Sequence, residues 1–215
     1  MGYFRQYIRD GRTPLGRFLP AAEPQQRALG ETLFRLLSSE AGIVAEDLGV
    51  IPPFVRKTLA ALAIPGYRVL RWEKDESVFR NPHQFPTVSL VTTGTHDTET
   101  LREWWEALPD DERVAAAEAW PEMKALRPPP KTFTPEVHRQ LLATAEQAAS
   151  DLCVLPWQDV LGETERINLP GSVQDANWAY RLTVPVQELL QRAETREAAD
   201  RLRELAQAAR RIPGA

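Results

Sequence analysis

Short apolar runs alternate with helical stretches along this chain, and that alternation limits the fold more than any other feature. Ile43-Val44-Ala45, Tyr67 to Trp72, Val88 to Thr93 and Leu152 to Leu155 have the length and composition of buried strands. Pro24 opens a predicted helix that runs to about Ser38, with Leu29, Leu33, Leu36 and Leu37 at helical spacing. Pro52-Pro53 opens the next, with Val55, Leu59 and Leu62 on one face, and Pro65-Gly66 closes it. Thr100 and Glu103 form a capping-box pattern for a helix through Leu108. Helices are also expected near 110–119 and 135–149, and Val186 to Ala209 reads as a closing amphipathic helix. Met1 to Ile8 is aromatic and apolar, Asp10-Gly11 signals a turn, and the stretch on to Ala22 reads as loop. Pro128-Pro129-Pro130 reads as a stiff linker. Strands alternating with helices argue for an α/β chain with parallel strands and helical crossovers. Four strands suit a small open sheet or half of an eight-stranded barrel. A whole barrel takes about 250 residues, and this chain has 215.

Charge and composition exclude several function classes. The net charge is −4 with no long basic run, which argues against nucleic acid or an anionic membrane as the main partner. No stretch approaches the length of a membrane span, and no secretory leader pattern opens the sequence, so a cytoplasmic location is expected. Cys153 is the one cysteine and cannot form an internal disulfide; its apolar neighbours predict a buried structural thiol. His83, His96 and His138 show no metal-ligand spacing. There is no glycine-rich phosphate loop and no Gly-x-Ser-x-Gly. No metal or organic cofactor is expected.

Two of the predicted strands run directly into acids, at Glu46-Asp47 and at Gly94-Thr95-His96-Asp97. In parallel α/β folds the C-terminal strand ends gather on one face, where active sites are built. Acids so placed suit glycoside chemistry, in which one carboxyl protonates the leaving oxygen and carboxylates stabilise an oxocarbenium-like transition state. An acid after a strand also serves as a helix cap or first-turn residue, and a loop histidine also serves as a local hydrogen-bonding group. The pattern alone leaves an unrelated open α/β binding protein in contention.

The segments themselves narrow the choice. Ile43-Val44-Ala45-Glu46-Asp47-Leu48-Gly49-Val50-Ile51 resembles the acid/base segment of the amylomaltases (4-α-glucanotransferases), a branch of the α-amylase superfamily. Pro65-Gly66-Tyr67-Arg68-Val69-Leu70 is similar to that family's next strand, and Thr93-Gly94-Thr95-His96-Asp97-Thr98 to its segment with the transition-state-stabilising Asp. Arg166-Ile167-Asn168-Leu169-Pro170-Gly171, followed by Asn177-Trp178, resembles its last glucan-contacting region. The resemblance runs from about Gly2 to Leu190. It implies a retaining transferase acting on maltooligosaccharides and other α-1,4-glucans. Glu46 would be the general acid/base, partly buried, and Asp97 would grip the hydroxyls of the reacting sugar. His96 would donate to the same sugar, Asn168 would be a further sugar contact, and Asp47 would bind substrate or support Glu46. Trp178 is expected to pack in the core.

The resemblance also implies a gap. Retaining chemistry needs a second carboxylate as nucleophile. Gly2-Tyr3-Phe4-Arg5 resembles the residues that follow the family's nucleophile, an Asp in an Arg-x-Asp-His stretch. That alignment sets the nucleophile a few residues before Met1, and none of Asp10, Glu23 or Asp47 stands in its place. The chain is therefore expected to be the C-terminal half of a (β/α)8 TIM barrel, strands five to eight with their helices. Residues 1–215 would form one partial catalytic domain. A start codon set too late is the expected cause, ahead of a split gene or a deliberate fragment. The polypeptide alone is expected to be inactive, with the N-terminal half as a partner in trans. A non-catalytic glucan-binding module is the alternative.

Overall fold

A computed structural model of the chain describes residues 2–9, 11 and 16–212. Asp10, half of the predicted turn, lies outside the described residues. Contacts divide the chain into two compact units, Met1–Tyr67 with Val88–Leu90, and Arg68–Thr87 with Val91–Ala215.

The first unit opens with an antiparallel hairpin, β1 (Gln6–Ile8) against β2 (Arg17–Leu19), with Tyr7 opposite Phe18. The sequence reads the stretch that carries β2 as loop and sets no strand at β1; the two strands are short and mostly exposed, so no burial pattern marks them. Helix α1 (Glu23–Glu40) has proline in its first turn, as expected. Its buried face is Gln26, Gly30 and Phe34, however, while Leu29, Leu36 and Leu37 stay exposed. The reason is Phe4, whose ring fills the notch at Gly30: a Cβ there would sit 2.2 Å from the ring. Phe4 also meets Phe34 and Phe54 at 5.5 and 5.8 Å between centroids. Helix α2 (Pro53–Ala61) adds Val55 and Leu59 to this core. The strand expected at 43–45 shrinks to one parallel bridge, Ala45 with Gly66, whose Ala45 N–H donates to Pro65 O at 2.8 Å.

Strand β3 (Gly66–Val69) leads into the second unit and becomes a single 3-10 turn at Leu70–Trp72. A small antiparallel hairpin, β4 (Lys74–Asp75) with β5 (Val78–Phe79), follows. Strand β6 (Ser89–Thr92) is buried throughout, as a strand covered on both faces must be. Helix α3 (Leu101–Ala107) carries the predicted capping box: Glu103 N–H donates to the Thr100 hydroxyl, and Thr100 N–H donates to Glu103 Oε2 at 3.0 Å. Helices α4 (Asp110–Ala119) and α5 (Pro135–Glu146) stand where periodicity sets them. Phe79, Trp104, Trp105, Trp120, Met123, Leu141 and Leu142 form the core of this unit. The proline linker is tied to it, because Trp105 Nε1 donates to Pro130 O at 3.0 Å. Strand β7 (Leu152–Cys153) is shorter than predicted, and the strands neighbour one another in the order β3–β6–β7.

After a five-residue helix α6 (Trp157–Leu161), the closing helix is broken into α7 (Val186–Leu189) and α8 (Ala193–Ala208). Arg211 closes two helices: its backbone N–H donates to Ala206 O at 2.8 Å at the end of α8, and its guanidinium donates to the carbonyls of Glu146, Ala148 and Ser150 at 2.7–2.8 Å at the end of α5. Among the described residues no helix is long and apolar enough to cross a membrane.

Cys153 is half-buried rather than fully enclosed. Burial, together with the neighbouring Glu146 carboxylate, pushes its thiol up to about 12. Only the thiolate reacts, so alkylation by iodoacetamide at pH 8 is expected to run at least about 100-fold slower in the folded protein than in guanidinium. Rates within tenfold of each other would contradict that setting.

Candidate active site

In the first unit the chain leaves the Ala45 bridge and turns outward at once, so Glu46 is exposed. The partial burial expected for an acid held at the end of a regular strand is not found, because the strand is reduced to a single bridge. Asp47 does the reverse. It is 2% exposed. Its Oδ1 accepts from Tyr67 N–H at 2.7 Å, and its Oδ2 lies 3.1 Å from Arg56 Nε. Arg56 Nη2 also donates to the Asp47 carbonyl at 3.3 Å. Gly66 is pressed so close that a Cβ there would stand 2.7 Å from Oδ1. Asp47 thus pins the Glu46 turn to β3 and has almost no surface to offer a sugar.

In the second unit the turn after β6 brings His96 and Asp97 to the surface. Its backbone is set locally: Thr95 N–H donates to the Thr98 hydroxyl at 3.0 Å, and that hydroxyl donates to Thr95 O at 2.9 Å. Asp97 N–H donates to the Thr95 hydroxyl at 3.2 Å. Gly94 is required here, because a Cβ would lie 2.6 Å from Thr98 Oγ1. Gly94→Ala is therefore expected to cost about 1–3 kcal/mol in urea unfolding, through displacement of Thr98.

Asp97 and Asn168, far apart in the sequence, meet directly: Asn168 Nδ2 donates to Asp97 Oδ1 at 2.7 Å. Arg166 Nη2 donates to the Asp97 carbonyl at 3.1 Å, so two residues of the same segment hold Asp97. The His96 ring lies 3.4 Å from Asp97 Oδ1 and 5.1 Å, centroid to centroid, from Trp178. Trp178 corrects the sequence expectation: it is 59% exposed rather than in the core. Its backbone has φ 62, a left-handed setting that a tryptophan adopts only when its surroundings force it. The forcing bonds are Trp178 N–H to Ile167 O at 2.7 Å, and Leu169 N–H to Asn177 Oδ1 at 3.0 Å. The same loop lines a cavity of about 400 Å³ between Asn168 and Trp178. The result is a half-exposed carboxylate whose Oδ1 faces both the Asn168 amide and the His96 ring, with Trp178 against that ring. Among the described residues no cluster of three or more His, Cys, Asp or Glu side chains stands ready for a metal.

Arg166 was legible as part of a motif, but its grip on Asp97 was not. Arg71 and Asp159, buried beneath the 94–100 turn, gave no sequence signal at all.

The model of the family described as 4-alpha-glucanotransferase matches residues 20–187. The 4-alpha-glucanotransferase of Chlamydia pneumoniae is 32% identical over 205 residues, covering 88% of this chain and 38% of that protein. That of Thermus thermophilus is 33% identical over 167 residues, covering 73% of this chain and 32% of that protein. An amylomaltase from Streptococcus agalactiae, solved in complex with acarbose, superposes with a TM-score of 0.70 at 23% identity. That superposition covers 97% of this chain and 40% of that one, and it bears on the fold alone. The chain spans less than two fifths of the length of these two sequence relatives. With the family's model matched over most of its length, the chain belongs to the 4-alpha-glucanotransferase family.

Proposed function

We propose that this chain supplies the acid/base and the sugar-gripping groups of a retaining 4-α-glucanotransferase, which moves α-1,4-glucan segments between maltooligosaccharides or starch- and glycogen-derived glucans. Glu46 protonates the glycosidic oxygen of the donor as the bond to the leaving sugar breaks. It then takes the proton from the acceptor's 4-hydroxyl. Asp97 accepts hydrogen bonds from hydroxyls of the reacting sugar, and these strengthen as the ring flattens and positive charge develops. His96 donates to the same sugar. Asn168 fixes the Asp97 carboxylate, and the exposed Trp178 indole offers an apolar face to a pyranose ring. Asp47 serves from behind, by holding the Glu46 turn. On this reading residues 1–215 are one partial catalytic domain, the C-terminal half of a (β/α)8 barrel with strands five to eight.

The observation that carries the reading is the 2.7 Å bond between Asn168 and Asp97. It joins two family segments that the sequence separates by 71 positions, beside an exposed aromatic ring. The nucleophile is a separate matter. No segment of the sequence resembles the family's Arg-x-Asp-His stretch. The 215-residue polypeptide is therefore expected to bind glucan without transferring it, and a polypeptide carrying that stretch is expected to restore transfer in trans. Incubation with maltotriose, followed by chromatography and by NMR of the protein, tests both statements. The expected result is unchanged maltotriose together with shifted signals for Asp97, Asn168 and the Trp178 indole. Longer oligosaccharides would overturn the claim of inactivity, and unshifted signals would overturn the sugar site.

A further inference from the structure

The turn that presents His96 and Asp97 is tied from beneath at both ends, by two charged side chains that no step of the proposed reaction uses. Arg71, from the 3-10 turn after β3, is 4% exposed. Its Nε donates to Thr93 O at 2.9 Å, where the turn begins. Its Nη1 donates to Glu99 O at 2.9 Å and lies 3.2 Å from the Glu99 carboxylate, where the turn ends. Asp159, from α6, is 2% exposed and spans the same two ends. Its Oδ2 accepts from the Thr93 hydroxyl at 2.5 Å, and its Oδ1 accepts from Leu101 N–H at 2.7 Å. His138 Nε2 lies 2.7 Å from the Asp159 carbonyl and so steadies α6 at this point.

Burial pushes the Asp159 carboxyl up and the Arg71 guanidinium down, and each charge partly offsets the other's shift. Buried charges of this kind are costly compared with apolar side chains of similar volume. Space-filling does not account for them here. Both side chains spend their hydrogen bonds on the flanks of one short turn, and each bridges its entry to its exit.

We propose that Arg71 and Asp159 are positioning residues, which hold the 94–100 turn so that the Asp97 carboxylate stays fixed against Asn168. The proposal rests on the sugar-site reading of Asp97 for its purpose, though not for its test. That test is amide hydrogen exchange, followed by NMR on the full 215-residue chain, in Asp159→Ala, Arg71→Lys and Thr93→Val. The last removes only one hydroxyl, so it keeps the comparison available if the first does not fold. The expected result is at least a tenfold loss of protection at Thr95, Asp97 and Thr98, with the amides of α5 unchanged. Maltotriose is expected to bind at least tenfold more weakly to the same variants. Unchanged protection in the turn overturns the proposal, and so does an equal loss across the turn and α5, which would mean general destabilisation. If maltotriose shifts no signal in the unsubstituted chain, the sugar reading fails, while the exchange pattern still decides whether these two residues hold the turn.

Discussion

Asp97→Asn is expected to lower glucan transfer by about 100- to 1,000-fold, in a form of the protein that carries out transfer, and to leave its stability unchanged. The magnitude is that of losing one preorganised group aimed at charge that develops in the transition state. The neutrality of the fold follows from the geometry. The Asp97 side chain is 43% exposed, its Oδ1 accepts from the Asn168 amide at 2.7 Å, and His96 Nε2 stands 3.4 Å from the same oxygen. An amide oxygen at position 97 still accepts that bond, so the surroundings need not move. On the proposed reading, what is lost is the negative charge that faces the flattening sugar ring. The loss should fall mainly in kcat, since it removes an interaction that strengthens only as the transition state forms. Glu46→Gln should show a comparable loss for a different reason, because an amide cannot deliver or take up the proton. Initial rates on maltotriose and thermal unfolding of each variant check both. Near-normal turnover in either would mean that the roles belong to other residues.

The helices of this chain were legible because their signals are local. Proline at the start of α1, the capping box of α3 and the periodicity of α4 and α5 all act within a few residues. The buried face of α1 was not legible. It is chosen by a tertiary partner, Phe4, that sits in the notch left by Gly30, and helical spacing of leucines cannot reveal that. The strand at 43–45 was over-read for a similar reason: an apolar run has the composition of a strand, but pairing decides, and only Ala45 pairs. The closing helix was read as continuous because its periodicity runs through the break between α7 and α8.

The candidate site shows the same division. Acids after apolar runs marked Glu46, Asp47 and Asp97, and the family segments marked His96 and Asn168. The difference between Glu46 and Asp47 was not visible, since adjacent acids look alike in sequence while one is exposed and the other buried. Trp178 was misplaced because a tryptophan is ordinarily most useful in a core, and its left-handed backbone is imposed by bonds to Ile167 and the loop around Asn177. Arg71 and Asp159 act only through the flanks of a turn that neither belongs to.

Asp47→Ala is expected to destabilise the protein by roughly 2–4 kcal/mol, and to do so where its neighbour Glu46 can be changed freely. Tyr67 N–H loses a part-buried bond to a charged acceptor, which is worth about 1.5–3 kcal/mol. The ion pair with Arg56 adds little, because that side chain is 43% exposed and can turn to water. The remainder comes from the gap beside Gly66, which the carboxylate now fills. Asp47→Asn keeps an acceptor for Tyr67 and should cost less than half as much. Gly66→Ala approaches the same contact from the other side, forcing a Cβ to within 2.7 Å of Oδ1, and should cost about 1–3 kcal/mol. Urea unfolding of the three variants, beside Glu46→Gln, gives the order. If Asp47→Ala unfolds at the same urea concentration as Glu46→Gln, Asp47 is not the latch that holds this turn. If the order holds, Asp47 fixes the backbone that presents Glu46 to solvent, the setting that the proton transfer proposed for Glu46 needs.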